Sequence, residues 1–235
     1  MQDRGVRCTD EASQRIEQEW GYAGLDRRLH QALLQESEWT DALKDILAIL
    51  EALFPLRPQV NVQIDQSKCT PETSLRRAVL CLKQHALIGK RILCVGDDDL
   101  VSVSIGLLLQ RLFPTGQHGA TRVDVLDIDE RFLQFIGDVS KERKLPIVCR
   151  QMDLRDPLPE SLQGQYDCFF TDPPYTLQGM SLFVSRGISA LKKRKRVADI
   201  LVLRAQVAGV HAGHAARIRP HEPDRQRQFS EIQRL

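Results

Sequence analysis

Short apolar segments alternate with amphipathic segments through the middle of this 235-residue chain, and this alternation limits its fold more than any other feature. Single strands separated by helices form a parallel sheet with helices on both faces. The sequence therefore predicts an α/β fold with a Rossmann-like, doubly wound sheet, whose ligands bind at the carboxyl ends of the strands. The predicted strands are 91–95, 122–126, 147–149, 166–171 and 198–203, and the predicted helices between them are about 99–112, 129–142 and 177–192.

The region before this alternation, residues 1–58, is predicted to form a small helical domain. Its clearest helix begins at Thr40, a good N-cap residue, and runs to Phe54, after which Pro55 and Pro58 end it. Three interpretations remain open: a winged-helix-like DNA-binding module, a helical cap on the main domain, or a dimerisation surface. The region shows no concentrated basic face, which favours the cap or the dimerisation surface over DNA binding.

Two further regions follow. Residues 59–203 are predicted to form the catalytic domain, which starts with a short strand at 60–64 and a helix from Thr70, its N-cap, to about His85. From 204 to 235 the sequence is rich in Arg, Gln and His and has little apolar periodicity. This composition predicts a divergent C-terminal tail that is disordered.

Composition argues against several classes of function. The net charge of +2 provides no global attraction to nucleic acid or to a membrane. No apolar stretch approaches the ~20 residues that span a bilayer, and no apolar segment of a signal peptide follows Met1. The six cysteines form no Cys-x-x-Cys pair and several lie in apolar runs, which predicts buried free thiols, a cytoplasmic protein and no metal site. The histidines His211, His214 and His221 are attributed to the tail rather than to a metal cluster.

The loop after the first predicted strand contains three consecutive aspartates, in the run Gly96-Asp97-Asp98-Asp99. Gly96 permits a sharp turn and a close approach of a ligand to the backbone. A dinucleotide-binding loop would continue with glycines and bind phosphate, whereas three carboxylates repel pyrophosphate and attract a cation. One aspartate would suffice to cap the next helix. We therefore predict that Gly96, Asp97, Asp98 and Asp99 contact a ligand other than NAD, FAD or a nucleoside triphosphate.

Acidic residues also follow the next two predicted strands. Asp127 ends the second strand, where an acidic side chain typically binds a ribose diol, while Asp129 is placed to cap the following helix. Asp153 follows the third strand, at the position where adenosyl-binding folds often contact the adenine amino group. Asp127 and Asp153 are thus predicted donor-binding residues.

The fourth strand leads into the run Asp172-Pro173-Pro174-Tyr175. Two prolines hold the backbone extended and remove two N–H donors, so carbonyl groups are presented rigidly beside a carboxylate and an aromatic ring. Such a site can hold an N–H group and aim the nitrogen lone pair at an activated carbon. We predict Asp172 and Tyr175 as catalytic residues and Pro173 as part of the donor site.

Together these motifs resemble those of the branched-chain polyamine synthase family, the N4-bis(aminopropyl)spermidine synthases. The resemblance covers roughly 60–195, and it implies a winged-helix-like N-terminal domain and a Rossmann-like catalytic domain of the S-adenosylmethionine-methyltransferase type. It also implies transfer of aminopropyl groups from decarboxylated S-adenosylmethionine to a polyamine nitrogen, with Asp172 as the main catalytic residue. The segments that carry it are Asp65-Gln66, Thr70-Pro71-Glu72-Thr73, Gly96-Asp97-Asp98-Asp99-Leu100, Leu126-Asp127-Ile128-Asp129-Glu130 and Asp172-Pro173-Pro174-Tyr175-Thr176.

Under this interpretation the donor is a co-substrate, no cofactor is permanently bound, and a homodimer is left open. The main alternative is a methyltransferase that uses S-adenosylmethionine on a nucleic-acid amine, since it would share Asp172–Tyr175. That enzyme should show a glycine-rich first loop and a basic face, and the run Lys192–Arg196 is better explained as the solvated end of a helix. A truncated, non-catalytic homologue is the second alternative.

Overall fold

A four-stranded parallel sheet lies at the centre of the computed structural model, which describes residues 9–35, 39–59, 69–116, 118, 121–174 and 176–193. The order of the strands is β3-β2-β1-β4, so the chain passes outward from β1 to β3 and then crosses to the other side of β1. This arrangement confirms the predicted Rossmann-like, doubly wound sheet. The strands are β1 (Arg91–Val95), β2 (Arg122–Asp127), β3 (Ile147–Gln151) and β4 (Cys168–Thr171).

Seven α-helices are described, and four of them follow the predicted pattern around the sheet. None of the described helices combines the length and apolar character that a membrane span requires. The predicted strands at 60–64 and 198–203 and the tail at 204–235 lie outside the described residues. The helices are α1 (Asp10–Trp20), α2 (Arg27–Gln35), α3 (Lys44–Leu53), α4 (Pro71–Lys83), α5 (Val101–Leu112), α6 (Glu130–Arg143) and α7 (Leu177–Ala190).

Alternate residues of the strands supply two separate apolar cores, because successive side chains of a strand point to opposite faces of the sheet. On one face, residues such as Ile92 and Cys94 pack in a large core with α4, α5 and α6. On the other face, Leu93, Val95 and Phe169 pack in a smaller core with α7. Helix α7 approaches β4 closely at Gly187, where an added Cβ would lie 2.3 Å from the Phe169 ring, so this position requires glycine.

Local sequence signals set several helix ends. Thr70 has extended backbone and its hydroxyl accepts a hydrogen bond from the Thr73 N–H at 3.1 Å, which confirms the predicted N-cap of α4. Asp129 likewise accepts from the Arg131 N–H at 3.1 Å and caps α6, as predicted. The predicted cap at Thr40 is wrong: its backbone is already helical, it makes no capping bond, and α3 begins after a 3₁₀ turn at Asp41–Leu43.

The N-terminal helices share the larger core of the sheet. Leu33 from α2, together with Ile46 and Leu50 from α3, is almost fully buried in the same apolar cluster as Leu75 of α4 and Leu108 of α5. Among the described residues, this packing favours the helical-cap interpretation of residues 1–58, while the boundary at 58 stays a prediction.

The described thiols are free, with Cys81, Cys94 and Cys168 buried and Cys69 and Cys149 partly exposed. The prediction of buried free thiols is thus confirmed for three of these five cysteines. Burial raises the pKa of the Cys149 thiol to about 11, so this thiol is protonated at neutral pH.

Candidate active site

The polar ends of the strands meet because the sheet reverses its winding between β1 and β4. These two strands are neighbours, yet α5, which follows β1, packs in the larger core and α7, which follows β4, packs in the smaller one. Helices leaving on opposite faces open a crevice at the carboxyl ends of the strands. Four aspartates, one after each strand, line this crevice, hereafter the cleft: Asp98, Asp127, Asp153 and Asp172.

Gly96 forms the floor of the cleft at the end of β1. Its φ of +74° is a conformation that side chains with a Cβ rarely adopt, and an added Cβ would lie 3.1 Å from the Phe183 ring of α7. The structure therefore requires glycine here, and Phe183 provides an apolar wall beside it.

The three consecutive aspartates have three different environments. Asp97 is buried, and its carboxylate accepts hydrogen bonds from the N–H groups of Val101 at 2.8 Å and Ser102 at 3.1 Å, so it caps α5. Burial raises the pKa of Asp97 to about 8. Only Asp98 lines the cleft, whereas Asp99 is buried behind it. The predicted ligand contact is thus supported by position for Asp98, while Asp97 and Asp99 have structural partners instead.

Asp99 and Asp172 are joined by a buried arginine. Arg77 of α4 donates from Nη1 to Oδ2 of Asp99 at 2.5 Å and from Nη2 to Oδ2 of Asp172 at 2.8 Å. The guanidinium also lies 6.0 Å from the centroid of the Phe170 ring. Burial raises the pKa of Asp172, Arg77 opposes that rise, and the neighbouring Asp99 adds to it.

Asp127 organises the loops on both sides of the cleft. Its Oδ2 accepts from the Asp97 N–H at 3.1 Å and its Oδ1 accepts from the Asp129 N–H at 2.9 Å. Burial raises the pKa of Asp127, although these hydrogen bonds act in the opposite direction. Each carboxylate oxygen has a second lone pair, so the geometry is compatible with the predicted bond to a diol.

Asp153 lies at the opposite end of the cleft and is paired with Arg155, whose Nη2 is 2.5 Å from Oδ2. The hydrogen bonds from Arg155 lower the pKa of Asp153 to about 2, so it remains charged at neutral pH. Arg186 of α7 stabilises the turn that follows Asp153, because it donates to the carbonyl groups of Leu154 and Asp156.

The two prolines connect Asp172 to α7. Pro174 lines the cleft, and it packs so closely on α7 that a Cβ added at Gly179 would lie 2.6 Å from the Pro174 Cβ. Thr176 caps α7 by accepting from the Gly179 N–H at 3.0 Å. Pro173 is half-buried next to the cleft rather than among its lining residues. Tyr175 lies outside the described residues, and its role stays a prediction.

Residues 45–208 match the family described as the branched-chain polyamine synthase A C-terminal domain. The chain belongs to this family. That assignment confirms the predicted resemblance, and the match includes the first five residues of the predicted divergent tail, 204–208.

Individual relatives agree with the family assignment. An uncharacterized protein of Methanocaldococcus jannaschii is 45% identical over 64% of this chain and 36% of its own length. The N(4)-bis(aminopropyl)spermidine synthase of Thermococcus kodakarensis is 38% identical over 65% of this chain and 41% of its own length. The chain therefore spans about two fifths of the length of the curated relatives it matches.

A solved structure shares both sequence and fold. The branched-chain polyamine synthase of Thermus thermophilus, in complex with N4-aminopropylspermidine and 5′-methylthioadenosine, is 35% identical with a TM-score of 0.55. The comparison covers 62% of this chain and 40% of the Thermus chain. The likeness supports the Rossmann-like architecture deduced from the alternation of strands and helices.

Three residues at this site were not predicted from the sequence: Arg77, Arg155 and Phe183. Arg77 lies inside a helix where charged residues are commonplace, and Phe183 lies on an amphipathic helix where an aromatic residue usually packs in the core. Only Arg155 had a usable signal, since it follows Asp153 by two positions in the segment after the predicted strand at 147–149.

Proposed function

We propose that this protein transfers an aminopropyl group from decarboxylated S-adenosylmethionine to a nitrogen of a polyamine. The observation that carries the proposal is the cleft itself, in which four aspartates, one from the end of each strand, face a common volume. Arg155 is the single cationic residue lining the described part of the cleft, and it is paired with Asp153. Such a cleft favours ligands with several positive charges, as both polyamines and the decarboxylated donor have.

The charge of the donor explains why the decarboxylated form fits better. S-adenosylmethionine has both an ammonium and a carboxylate on its tail, whereas the decarboxylated form retains only the ammonium. Asp98, which lines the cleft after β1, attracts the ammonium and repels a carboxylate. The absence of further glycines in this loop also argues against a pyrophosphate ligand.

The reaction requires alignment more than activation, because the sulfonium already makes the adjacent carbon electrophilic. The amine nitrogen forms a bond to that carbon, the carbon–sulfur bond breaks, and its electron pair stays on sulfur to give 5′-methylthioadenosine. The nitrogen then loses a proton to a base. The polyamine and the thioether bound in the Thermus structure have the chemistry of such a product pair, which supports the proposal.

The four aspartates that line the cleft have separate roles in this scheme. Asp127 binds the ribose diol, Asp153 contacts the adenine amino group, and Asp98 faces the ammonium of the donor tail. Asp172 orients the attacking amine and accepts its proton, and the raised pKa of Asp172 brings the carboxylate closer to the range where proton acceptance is effective. The carbonyl groups of the Asp172-Pro173-Pro174 segment give the amine a second acceptor, and a catalytic role for Tyr175 stays a prediction.

Calorimetry with the two donors, followed by mass spectrometry of a polyamine after incubation, tests the proposal. We expect roughly 10- to 100-fold tighter binding of the decarboxylated donor, from one or two partly screened charge interactions, and addition of an aminopropyl group to the polyamine. Tighter binding of S-adenosylmethionine with methylation of a nucleic acid would establish the methyltransferase alternative instead. Donor binding with no transfer to any polyamine would indicate a non-catalytic homologue. A cytoplasmic location and a homodimer stay predictions.

A further inference from the structure

A single buried cation connects the two loops that form the reacting side of the cleft. Arg77 has only 6% of its side chain exposed, and it donates to Asp99 in the loop after β1 and to Asp172 after β4. It does not itself line the cleft. The guanidinium therefore contacts Asp172 from outside the cleft.

The Asp99 carboxylate, which accepts from Arg77, has a further hydrogen bond of its own. The second carboxylate oxygen of Asp99, Oδ1, accepts from the Cys69 N–H at 3.1 Å. Arg57 adds a second connection, because its guanidinium donates to the backbone carbonyl groups of Cys69 and Asp98 at 3.3 Å each. Asp172 is thus connected through Arg77 to Asp99, whose carboxylate is itself held by the backbone.

Burial of an arginine costs free energy because the guanidinium loses its hydration, and this cost is offset only when the geometry and the hydrogen-bond partners are good. The planar guanidinium can bridge two carboxylates at fixed directions, which a lysine ammonium cannot do as well. Since Arg77 donates to Oδ2 of Asp172, the other oxygen, Oδ1, is the one we expect to accept from an incoming amine. Free rotation of the carboxylate would otherwise present the two oxygens indiscriminately.

We propose that Arg77 is a positioning residue for the transfer reaction, which holds the Asp172 carboxylate in one orientation. The inference rests on the proposed function, in which Asp172 orients and deprotonates the amine. It adds a residue on α4, outside every motif that predicted the site. Arg77 acts through Asp172 and does not touch the substrate.

The charges around Asp172 determine the sign of the expected pH effect. Arg77 lowers the pKa of Asp172, while burial and Asp99 raise it. Removing Arg77 should therefore raise the pKa of Asp172 and move the acidic limb of the rate profile to higher pH. Removing the charge of Asp99 should move the limb the opposite way. The other charged groups that line the described cleft, and that remain unchanged in both variants, are Asp98, Asp127, Asp153 and Arg155.

The experiment compares Arg77→Met, Arg77→Lys and Asp99→Asn in the full chain, with Arg76→Met as the matched control. Arg76 is the next residue of α4 but is 61% exposed and pairs with Glu72, so its loss should change nothing at the cleft. Transfer kinetics are measured against pH, and the Asp172 carboxyl is titrated by NMR in protein labelled with ¹³C-aspartate, assigned with Asp172→Asn.

For Arg77→Met we expect kcat to fall on the order of 100-fold, as for a misplaced catalytic group, with the donor KM nearly unchanged and the acidic limb at higher pH. Arg77→Lys should recover part of kcat, because it restores the charge without the planar bridge. Asp99→Asn should move the acidic limb to lower pH. A folded Arg77→Met variant with wild-type kcat and an unchanged Asp172 pKa would overturn the proposal.

Two further outcomes are decisive. If Arg77→Met does not fold, Arg77→Lys carries the test, and wild-type kcat in that variant then overturns the proposal. If the wild-type protein transfers no aminopropyl group to any polyamine, the proposed function fails. The NMR titration still reports in that case whether Arg77 controls the ionisation of Asp172.

Discussion

Among the three aspartates after β1, Asp98 alone should decide which donor binds. Asp97 is committed to capping α5 and Asp99 to Arg77, whereas Asp98 lines the cleft. A unit charge pair about 4 Å apart contributes roughly 1 kcal/mol in water and about 4 kcal/mol in a partly screened site. Asp98 is half-buried, and the N-terminus of α5 offsets up to about 1 kcal/mol of its effect. We therefore expect Asp98→Asn to reduce the preference for the decarboxylated donor by about 1–2 kcal/mol, roughly 5- to 30-fold.

The assay is calorimetric titration of wild-type and Asp98→Asn protein with both donors, at low and at moderate salt. In the variant the ratio of the two dissociation constants should fall and should depend less on salt. Asp156→Asn is the matched control, since Asp156 is exposed on the turn after β3 and does not line the described cleft. An unchanged ratio in Asp98→Asn would refute the argument. A changed ratio in Asp156→Asn would show that long-range charge rather than local contact selects the donor.

Three other substitutions test separate parts of the site. Asp172→Asn should keep the fold and the donor affinity but reduce transfer more than about 100-fold, as measured by product formation; wild-type rates would remove Asp172 from the mechanism. Asp127→Ala should weaken donor binding in calorimetry by about 1–2 kcal/mol through a lost hydrogen bond, and unchanged affinity in folded protein would leave Asp127 a purely structural role. Burial raises the pKa of Asp97 to about 8, above its value of about 4 in an unfolded chain, so the contribution of Asp97 to stability should decline as pH rises between these values. In urea unfolding, Asp97→Asn should therefore gain stability relative to wild type at pH 9 compared with pH 5, and an equal difference at the two pH values would contradict the shift.

Much of this fold could be predicted because the relevant signals are local. Helix and strand periodicity, the caps at Thr70 and Asp129, and the glycine at Gly96 depend on neighbouring residues or on backbone conformation. Parallel winding then brings every strand end to one edge of the sheet, so acidic residues that are distant in sequence could be expected in one cleft. The cap at Thr40 failed because a local preference is weak compared with packing, and here α3 is placed by Ile46 and Leu50 in the core.

Only the tertiary structure determines which of the aspartates caps a helix, which pairs with Arg77 and which lines the cleft. Nothing in the run Asp97-Asp98-Asp99 distinguishes the capping residue from the cleft residue, because the turn geometry, with Leu100 in the left-handed region at φ +53°, sets where each side chain points. Arg77 lies 95 positions before Asp172, and their contact exists only because α4 packs beside the end of β4. Sequence patterns thus predicted correctly that the acidic residues lie at the carboxyl ends of the strands. The packing of elements that are remote in sequence determined which of these charges line the cleft, because electrostatic interactions depend on distances in space and not along the chain.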